Sequence, residues 1–362
     1  MNKKVLILSG GTGGHVIPAV NFGNYLINKK YICSIISDKR GKKFLNNFNG
    51  NVKIINSSHL SGNFFFKILG IIKLISGFFE SIIYIVKDKP SIVISFGSYA
   101  ALPPALIIIF IKKILHIKFY IHEQNSIIGR SNRFLLNFSE KVFLNYNIDF
   151  SPNDKNIKRF YHVGLPDNSS KNNISNEDYD MIDKKNFNIF LYGGSQGSKY
   201  LIEYLESLIK KIEPRLIKKF FFIVQCPNNY RSKIIKELNT YNCKYFIKDF
   251  FNNIENILVK TNLIISRAGA GTINDIIKYK IPAALIPLPT AKDNHQYENT
   301  KLLINAKCAI VINENKDEVL KTINFINKIA DNKDSYISTK NNFLKIKTPN
   351  ANKLMLDLIE NE

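Results

Sequence analysis

The chain has 362 residues, 45% of them apolar, a length and composition that suit two or three domains with substantial cores. Its formal charge of +22, from 51 Lys and Arg against 29 Asp and Glu, points to an anionic partner (nucleic acid, an acidic membrane surface or a phosphorylated substrate), but Lys, Asn and Ile are abundant in every segment and compositional drift explains the excess as well. The four cysteines, Cys33, Cys226, Cys243 and Cys308, are far apart and form no CxxC pair, which excludes a disulfide framework or a zinc knuckle and fits a reducing cytoplasm.

In chain order, "KVLIL" (4–8) reads as a strand; it is too short for a signal-peptide core, and glycines follow at once. A helix is expected from Pro18 to Asn28, a strand at "YICSIIS" (31–37) and a long helix over 64–86. Strands follow at "SIVISF" (91–96), "KFYIHE" (118–123) and "KVFLNY" (141–146), with a helix from Pro104 to Lys113 between the first two. A polar stretch at 165–180 reads as linker or surface loop. The alternation then restarts with strands at 187–192, 219–226, 245–248, 263–269, 283–289 and 308–312, helices from Tyr200 and Thr272, and an amphipathic helix at the end. Short apolar strands alternating with helices imply parallel sheets, and the restart implies two Rossmann-like domains. The expected divisions are 1–163, 164–338 and a C-terminal helical segment, 339–362, packing back on the first domain.

The 64–86 stretch carries Lys67, Lys73 and Glu80, and so is not expected to span a membrane. Its polar and small positions, Lys67, Gly70, Lys73, Gly77, Glu80 and Tyr84, form a narrow helical stripe in an otherwise apolar circumference. One sheet face cannot bury so much, so the helix is expected either between neighbouring elements or partly inserted at a bilayer surface, with lysines meeting anionic lipid.

Three strand-to-helix loops carry the chemistry. "GGTGGH" (10–15) offers bare backbone amides at a helix start, where the dipole favours an anion. The dinucleotide spacing would put its third glycine at Val16, so a dehydrogenase is not expected, although Asp38 ends the second strand where a ribose-binding acid would stand. "GGSQGS" (193–198) repeats the glycine loop with a hydroxyl at Ser195. "SRAGAGTINDI" (266–276) places Asp275 in what reads as the first turn of a helix, where an acid can also simply satisfy the dipole. Together these loops suggest a diphosphate ligand in a cleft between two domains.

"GGTGGH", "HEQN" (122–125), "GGSQG", "SRAGAGT" and "KDNHQYENT" (292–300), in that order, resemble the MurG family over nearly the whole chain. These peptidoglycan glycosyltransferases add N-acetylglucosamine (GlcNAc) to lipid I, making lipid II. The resemblance implies an α/β GT-B fold, two Rossmann-like domains with parallel sheets facing across a cleft. It implies UDP-GlcNAc held mainly by the second domain: Ser195 at the diphosphate, Ile247 at the uracil, Ala270, Gly271, Thr272, Ile273, Asn274 and Asp275 around ribose and sugar, and Gln296 at the sugar hydroxyls. Thr12, Gly13, Gly14 and Asn125 reach the donor sugar or the acceptor, and His15 matches the candidate general base. A lone histidine at a helix start more often packs or caps; a neutral imidazole, with a pKa near ~6.5, can also take the acceptor's proton at cytoplasmic pH.

The partners implied are UDP-GlcNAc, lipid I and an anionic membrane surface, at the cytoplasmic face of the plasma membrane and without nucleic acid. No cofactor is implied, and no Asp-x-Asp metal motif stands in a suitable loop. The chain departs from the family in three places. Asp275 stands for the usual Glu, Asn168 in "GLPDN" for a phosphate-facing Arg, and Ser98 for the second glycine of a "GGY" loop. Another lipid-directed UDP-sugar transferase, or a non-catalytic UDP-sugar-binding scaffold, are the alternatives.

Overall fold

A computed structural model describes residues 3–57, 63–148, 157–168, 179, 181–183, 185–194, 197–251 and 254–361. In the first part of the chain lie β1 (Lys4–Leu8), α1 (Gly13–Asn28), β2 (Ile32–Asp38), β3 (Asn51–Ile55), α2 (Phe64–Asp88), β4 (Ile92–Ser95), α3 (Leu102–Ile111), β5 (Lys118–Glu123), α4 (Arg130–Leu135), β6 (Lys141–Leu144) and β7 (Phe160–His162). The second part holds β8 (Phe187–Tyr192), α5 (Lys199–Lys211), α6 (Pro214–Ile217), β9 (Phe220–Gln225), α7 (Asn228–Thr240), β10 (Lys244–Lys248), α8 (Ile254–Leu258), β11 (Leu263–Ser266), α9 (Ala270–Tyr279), β12 (Ala283–Leu285), α10 (His295–Asn305), β13 (Ala309–Val311), α11 (Val319–Ala330) and α12 (Lys333–Asn341), and α13 (Ala351–Glu360) ends the chain.

The chain divides into two compact units, Met1–Ser169 with Thr348–Glu362, and Ser170–Lys347. These divisions lie further along the chain than 163/164 and 338/339. The reason is local: the Gly164 carbonyl accepts from His122 Nε2, and the Pro166 and Asp167 carbonyls accept from Asn21 and Asn352. "GLPD" therefore belongs to the first unit. Met355, Leu356 and Ile359 of α13 enter the first unit's core, and Lys141 Nζ donates to the Leu358 carbonyl.

Among the described residues, the first sheet has seven strands in the order β3-β2-β1-β4-β5-β6-β7 and the second has six, β10-β9-β8-β11-β12-β13. Every pairing is parallel. Alternation along β1 shows why both faces must be covered: Val5 and Ile7 enter one core layer, Leu6 and Leu8 the other. β3 and β7, not foreseen in the sequence, sit at the two edges of the first sheet.

Among the described side chains of helix α2, Gly70, Gly77, Ser81 and Ile85 are the buried ones. A Cβ on Gly77 would come within 2.0 Å of the Asn56 carbonyl oxygen, so only glycine permits this approach to the sheet edge. Phe78, Ile82 and Ile85 pack on the core, but the outward face also carries large apolar side chains: Phe79 is 60% and Ile83 72% exposed, and Phe65, Ile68, Ile71, Ile72, Ile75 and Val86 are exposed with them. The polar stripe read from the sequence is thus divided. Gly70 and Gly77 face the fold, Lys73 faces out, and Glu80 accepts from the Asn56 amide and side chain and from Ser76.

Candidate active site

In a doubly wound sheet, ligands bind beyond the C-terminal ends of the strands where the strand order reverses. The first sheet reverses between β1 and β4, the second between β8 and β11. The loops flagged in the sequence leave those strands: "GGTGGH" follows β1, "GSY" follows β4, "GGSQGS" follows β8 and "SRAGAGT" follows β11.

In the first unit, Gly11 adopts φ +79°, and a Cβ on Gly10 would lie 2.5 Å from Ala100 Cβ; the loop is bare because there is no room for more. Asp38 anchors it. Its buried carboxylate accepts from the Gly11 amide at 2.8 Å, the Gly41 amide at 3.0 Å and Arg40 Nε at 2.8 Å. Burial works against its charge, but these donors outweigh burial and hold the carboxyl below its ordinary value. The acid that a dinucleotide site would turn toward ribose is spent on the loop itself. Thr12 is the N-cap of α1 in extended conformation, and its side chain makes no capping bond, so the first-turn amides carry no side-chain cap.

His15, half-buried in that first turn, reaches across the point where strand order reverses. Its Nδ1 lies 3.0 Å from the Phe96 carbonyl oxygen, just beyond β4, and 2.7 Å from Gln124 Oε1, just beyond β5. Gln124 Nε2 lies 2.9 Å from the His122 carbonyl oxygen and 3.1 Å from His122 Nδ1, and His122 Nε2 lies 3.0 Å from the Gly164 carbonyl oxygen. His122 is fully buried, stacked on Phe96 with centroids 5.0 Å apart, and burial drives its pKa down to about 4. The buried carboxylate of Glu123 organises the rest of the loop, accepting from the Asn125 and Gly129 amides and from the side chains of Asn125 and Asn132. Asn125 is therefore held in place by its neighbour two residues back.

In the second unit, Gly194 and Gly197 turn with φ of +76° and +70°, and a Cβ on Gly193 would meet the Gly197 backbone at 2.8 Å. Ser195, expected at the diphosphate, lies outside the described residues. Ser198 caps α5, its Oγ accepting from the Leu201 amide. The same Oγ accepts from Arg267 Nη2 at 3.0 Å. Arg267, 9% exposed, also pairs with Glu314 and stacks its guanidinium 5.5 Å from the Tyr200 ring centre. It ties the two loops of this reversal point together. Nothing in the motif alone assigns this arginine a task; the signal for it in the sequence is a cation directly after an apolar strand.

Helix α9 begins at Ala270 with Gly269 as an N-cap that has no side-chain bond. Asp275 consequently lies in the second turn, not the first, and because dipole effects fade beyond one turn, satisfying the dipole is a weak account of it. Ala270, Thr272 and Ile273 are buried, while Gly271, Asn274 and Asp275 are half-exposed. Gln296 Oε1 accepts from the Ala268 and Leu288 amides, which leaves its NH2 as the donating end. The side chain of Ile247 is packed in the core, so this position can offer a base only its main chain. The described residues thus place Thr12, Gly13, Gly14, His15 and Asn125 around the first sheet's reversal point, and Ala270 to Asp275 and Gln296 around the second's.

The glycosyltransferase family 28 N-terminal domain matches residues 5–144, and the family's C-terminal domain matches 188–355. The UDP-N-acetylglucosamine–N-acetylmuramyl-(pentapeptide) pyrophosphoryl-undecaprenol N-acetylglucosamine transferase of Rickettsia bellii is 33% identical over 99% of both chains. The protein of the same name from Pelagibacter ubique is 34% identical over 94% of this chain and 93% of its own. The crystal structure of Acinetobacter baumannii MurG superposes with a TM-score of 0.75 at 23% identity, covering 99% of this chain and all of that one, and shares the fold. With two parallel α/β units, glycine loops at both reversal points and relatives at this identity over the full length, the chain belongs to the MurG family of family 28 glycosyltransferases.

Proposed function

We propose that the chain catalyses the reaction in its relatives' name, transfer of GlcNAc from UDP-GlcNAc to the MurNAc of lipid I, and that His15 is the general base. The observation that carries the role of His15 is its position at the reversal point of the first sheet, beside the uncapped start of α1. The C4 hydroxyl of MurNAc attacks the anomeric carbon of GlcNAc and gives its proton to the imidazole. The bond from that carbon to the UDP oxygen breaks, UDP leaves with the electron pair, and attack opposite UDP inverts the α donor to a β linkage. The negative charge that develops on UDP is suited to loop amides and the start of α9. Asp275 and Gln296 then hold ribose and sugar hydroxyls. Incubating the purified chain with labelled UDP-GlcNAc and a lipid I analogue tests the reading: labelled lipid II supports it, and hydrolysis alone or no turnover refutes it.

The acceptor's polyprenyl tail places the reaction at a bilayer, and the outward face of α2 supports attachment there. Phe110 near the end of α3, and Ile114 and Leu115 just beyond it, are exposed apolar side chains as well. By length and composition alone α2 would suffice to cross a membrane. Its ties to Asn56 through Gly77 and Glu80 favour a helix lying in the interface of the cytoplasmic leaflet instead, with Lys73 near anionic headgroups. The chain should pellet with anionic vesicles more than with neutral ones. Salt should remove only the charge-dependent part, because exposed charges are screened over about 8 Å at physiological ionic strength. Replacing Phe65, Phe79 and Ile83 by Ser should release it while the thermal transition persists. Unaltered pelleting of that variant would exclude α2 as the anchor.

A further inference from the structure

Three carbonyl oxygens, which can only accept hydrogen bonds, determine every proton in the chain of side chains behind His15. The Gly164 oxygen, 3.0 Å from His122 Nε2, requires a proton on that nitrogen. Buried and neutral, His122 then carries a lone pair on Nδ1. The His122 carbonyl oxygen, 2.9 Å from one end of the Gln124 amide, identifies that end as the NH2, which also donates to His122 Nδ1 at 3.1 Å. The other end is therefore the oxygen, and it faces His15 Nδ1 at 2.7 Å. The Phe96 oxygen, 3.0 Å from the same nitrogen, independently requires a proton there.

We propose that Gln124 is a positioning residue for transfer. Its Oε1 accepts from His15 Nδ1–H, fixing the imidazole in the tautomer whose unprotonated Nε2 takes the proton from the acceptor hydroxyl. This rests on the reading of His15 as the base. A carboxylate at this place would also select the tautomer, but it would stabilise the imidazolium and leave less neutral base at cytoplasmic pH. An amide selects the tautomer without that cost. Gln124 is buried, and its NH2 is held by His122, so the amide cannot turn over without facing its NH2 to a proton on His15 and its oxygen to the His122 carbonyl. The ionisable residues on the surrounding segments are Asp38 at the end of β2, Lys39, Arg40, Lys42 and Lys43 after it, Tyr99 after β4, and His122 and Glu123 on β5. Asp38 is occupied by the Gly11 and Gly41 amides and Arg40, and Glu123 by the 125–132 loop.

The test uses the full chain with its histidine rings labelled with ¹⁵N, the His15 signals being those lost in His15→Ala. Wild-type His15 should show a protonated Nδ1 and an unprotonated Nε2 at neutral pH. Gln124→Glu should raise the His15 titration midpoint by about one unit or more, and move the acid limb of the kcat–pH profile with it. Gln124→Met, which keeps the length and removes the nearer of the two acceptors, should lower kcat roughly tenfold, leave KM for UDP-GlcNAc unchanged, and raise the share of His15 protonated on Nε2, because only the longer contact to the Phe96 carbonyl then favours Nδ1–H. A wild-type His15 protonated on Nε2, or a tautomer unchanged in Gln124→Met, overturns the proposal. Should Gln124→Glu fail to fold, these two spectra still decide it. If His15→Ala keeps its turnover, the base assignment falls while the tautomer result stands, so the two failures are distinguishable.

Discussion

The two reversal points share a backbone design and differ in the charge they keep behind it. Each has glycine turns at positive φ and a helix start without a side-chain capping bond, the open arrangement that accepts an anion. Behind the first lie two histidines joined by a neutral amide, with the acids Asp38 and Glu123 consumed by loop amides. Behind the second lies a buried guanidinium, Arg267, joined to Glu314 and to the cap of α5. The first set contains imidazoles, side chains able to take up and release a proton. The second cannot do so, since arginine stays charged, but it holds two loops in fixed register around a permanent charge. In the proposed reaction the first side moves a proton and the second holds charge in place.

The sharpest way to break this contrast is to remove the proton acceptor. His15→Ala should lower kcat by roughly 10²–10⁴, the usual range for a general base, while UDP binds within a few-fold of wild type. Calorimetry with UDP beside turnover on the lipid I analogue separates the two effects. Full turnover in the variant would leave the first loop without a chemical role.

Acid should also divide the units. His122 has its pKa lowered from 6.5 to about 4 by burial, so below pH 6.5 the unfolded chain binds a proton that the folded one refuses. The contribution is intact above the unfolded value and is lost as pH falls from about 6.5 to about 4, amounting to roughly 3 kcal/mol. Asp38, with its pKa lowered, adds a further loss below its ordinary range. The second unit holds a single histidine, His295, which lies near the surface. Amide-exchange protection factors should therefore fall in β4 and β5 between pH 7 and pH 4.5 while those of β8 and β9 change less, and His122→Asn should flatten the response. An equal loss of protection in both sheets would refute it.

Much of this was legible in the sequence, and the rest was not for identifiable reasons. The strands of both sheets are continuous apolar runs, and the glycine loops mark where they end. β3 (Asn51–Ile55) was missed because an edge strand is exposed on one side and carries a lysine in a short run. The residues that hold the site are the ones the motifs hide. Gln124 and Arg267 stand inside quoted motifs, but their partners, His15, Glu314 and Ser198, are 47 to 109 residues away. Only the fold brings them together. The first turn of α9 was misplaced because the helix begins two residues before Thr272.

On the second side, Asp275 offers a smaller test. Asp275→Ala should raise KM for UDP-GlcNAc by roughly ten- to a hundredfold, the scale of a hydrogen bond to a charged acceptor, with less effect on the acceptor's KM. Asp275→Glu should be tolerated. Binding of UDP as tight as wild type would show that the carboxylate serves only its own helix and the half-buried Tyr192, whose hydroxyl is pushed up by burial and by this charge.

The smallest expected effect concerns strain, which the two sides also distribute differently. In the second unit the turns of the loops beside the reversal point fall on Gly194 and Gly197, or on Asp293 and Asn294 in the left-handed region that short polar side chains tolerate. In the first, Ser98 takes φ 80°, ψ 156°, a region populated almost only by glycine and costing about 1–3 kcal/mol for other residues. Its hydroxyl recovers little, accepting from the Ala100 amide at 3.5 Å. Ser98→Gly relieves the strain but frees the unfolded chain, which takes back about 0.4–1 kcal/mol. The net expectation is a first unit more stable by roughly 1 kcal/mol, read as slower amide exchange in β1 and β4 with β8 unchanged. Destabilisation by a similar amount would mean that the hydroxyl, which would lie 3.0 Å from a Cβ on Gly11, holds the glycine loop more firmly than its one weak bond suggests.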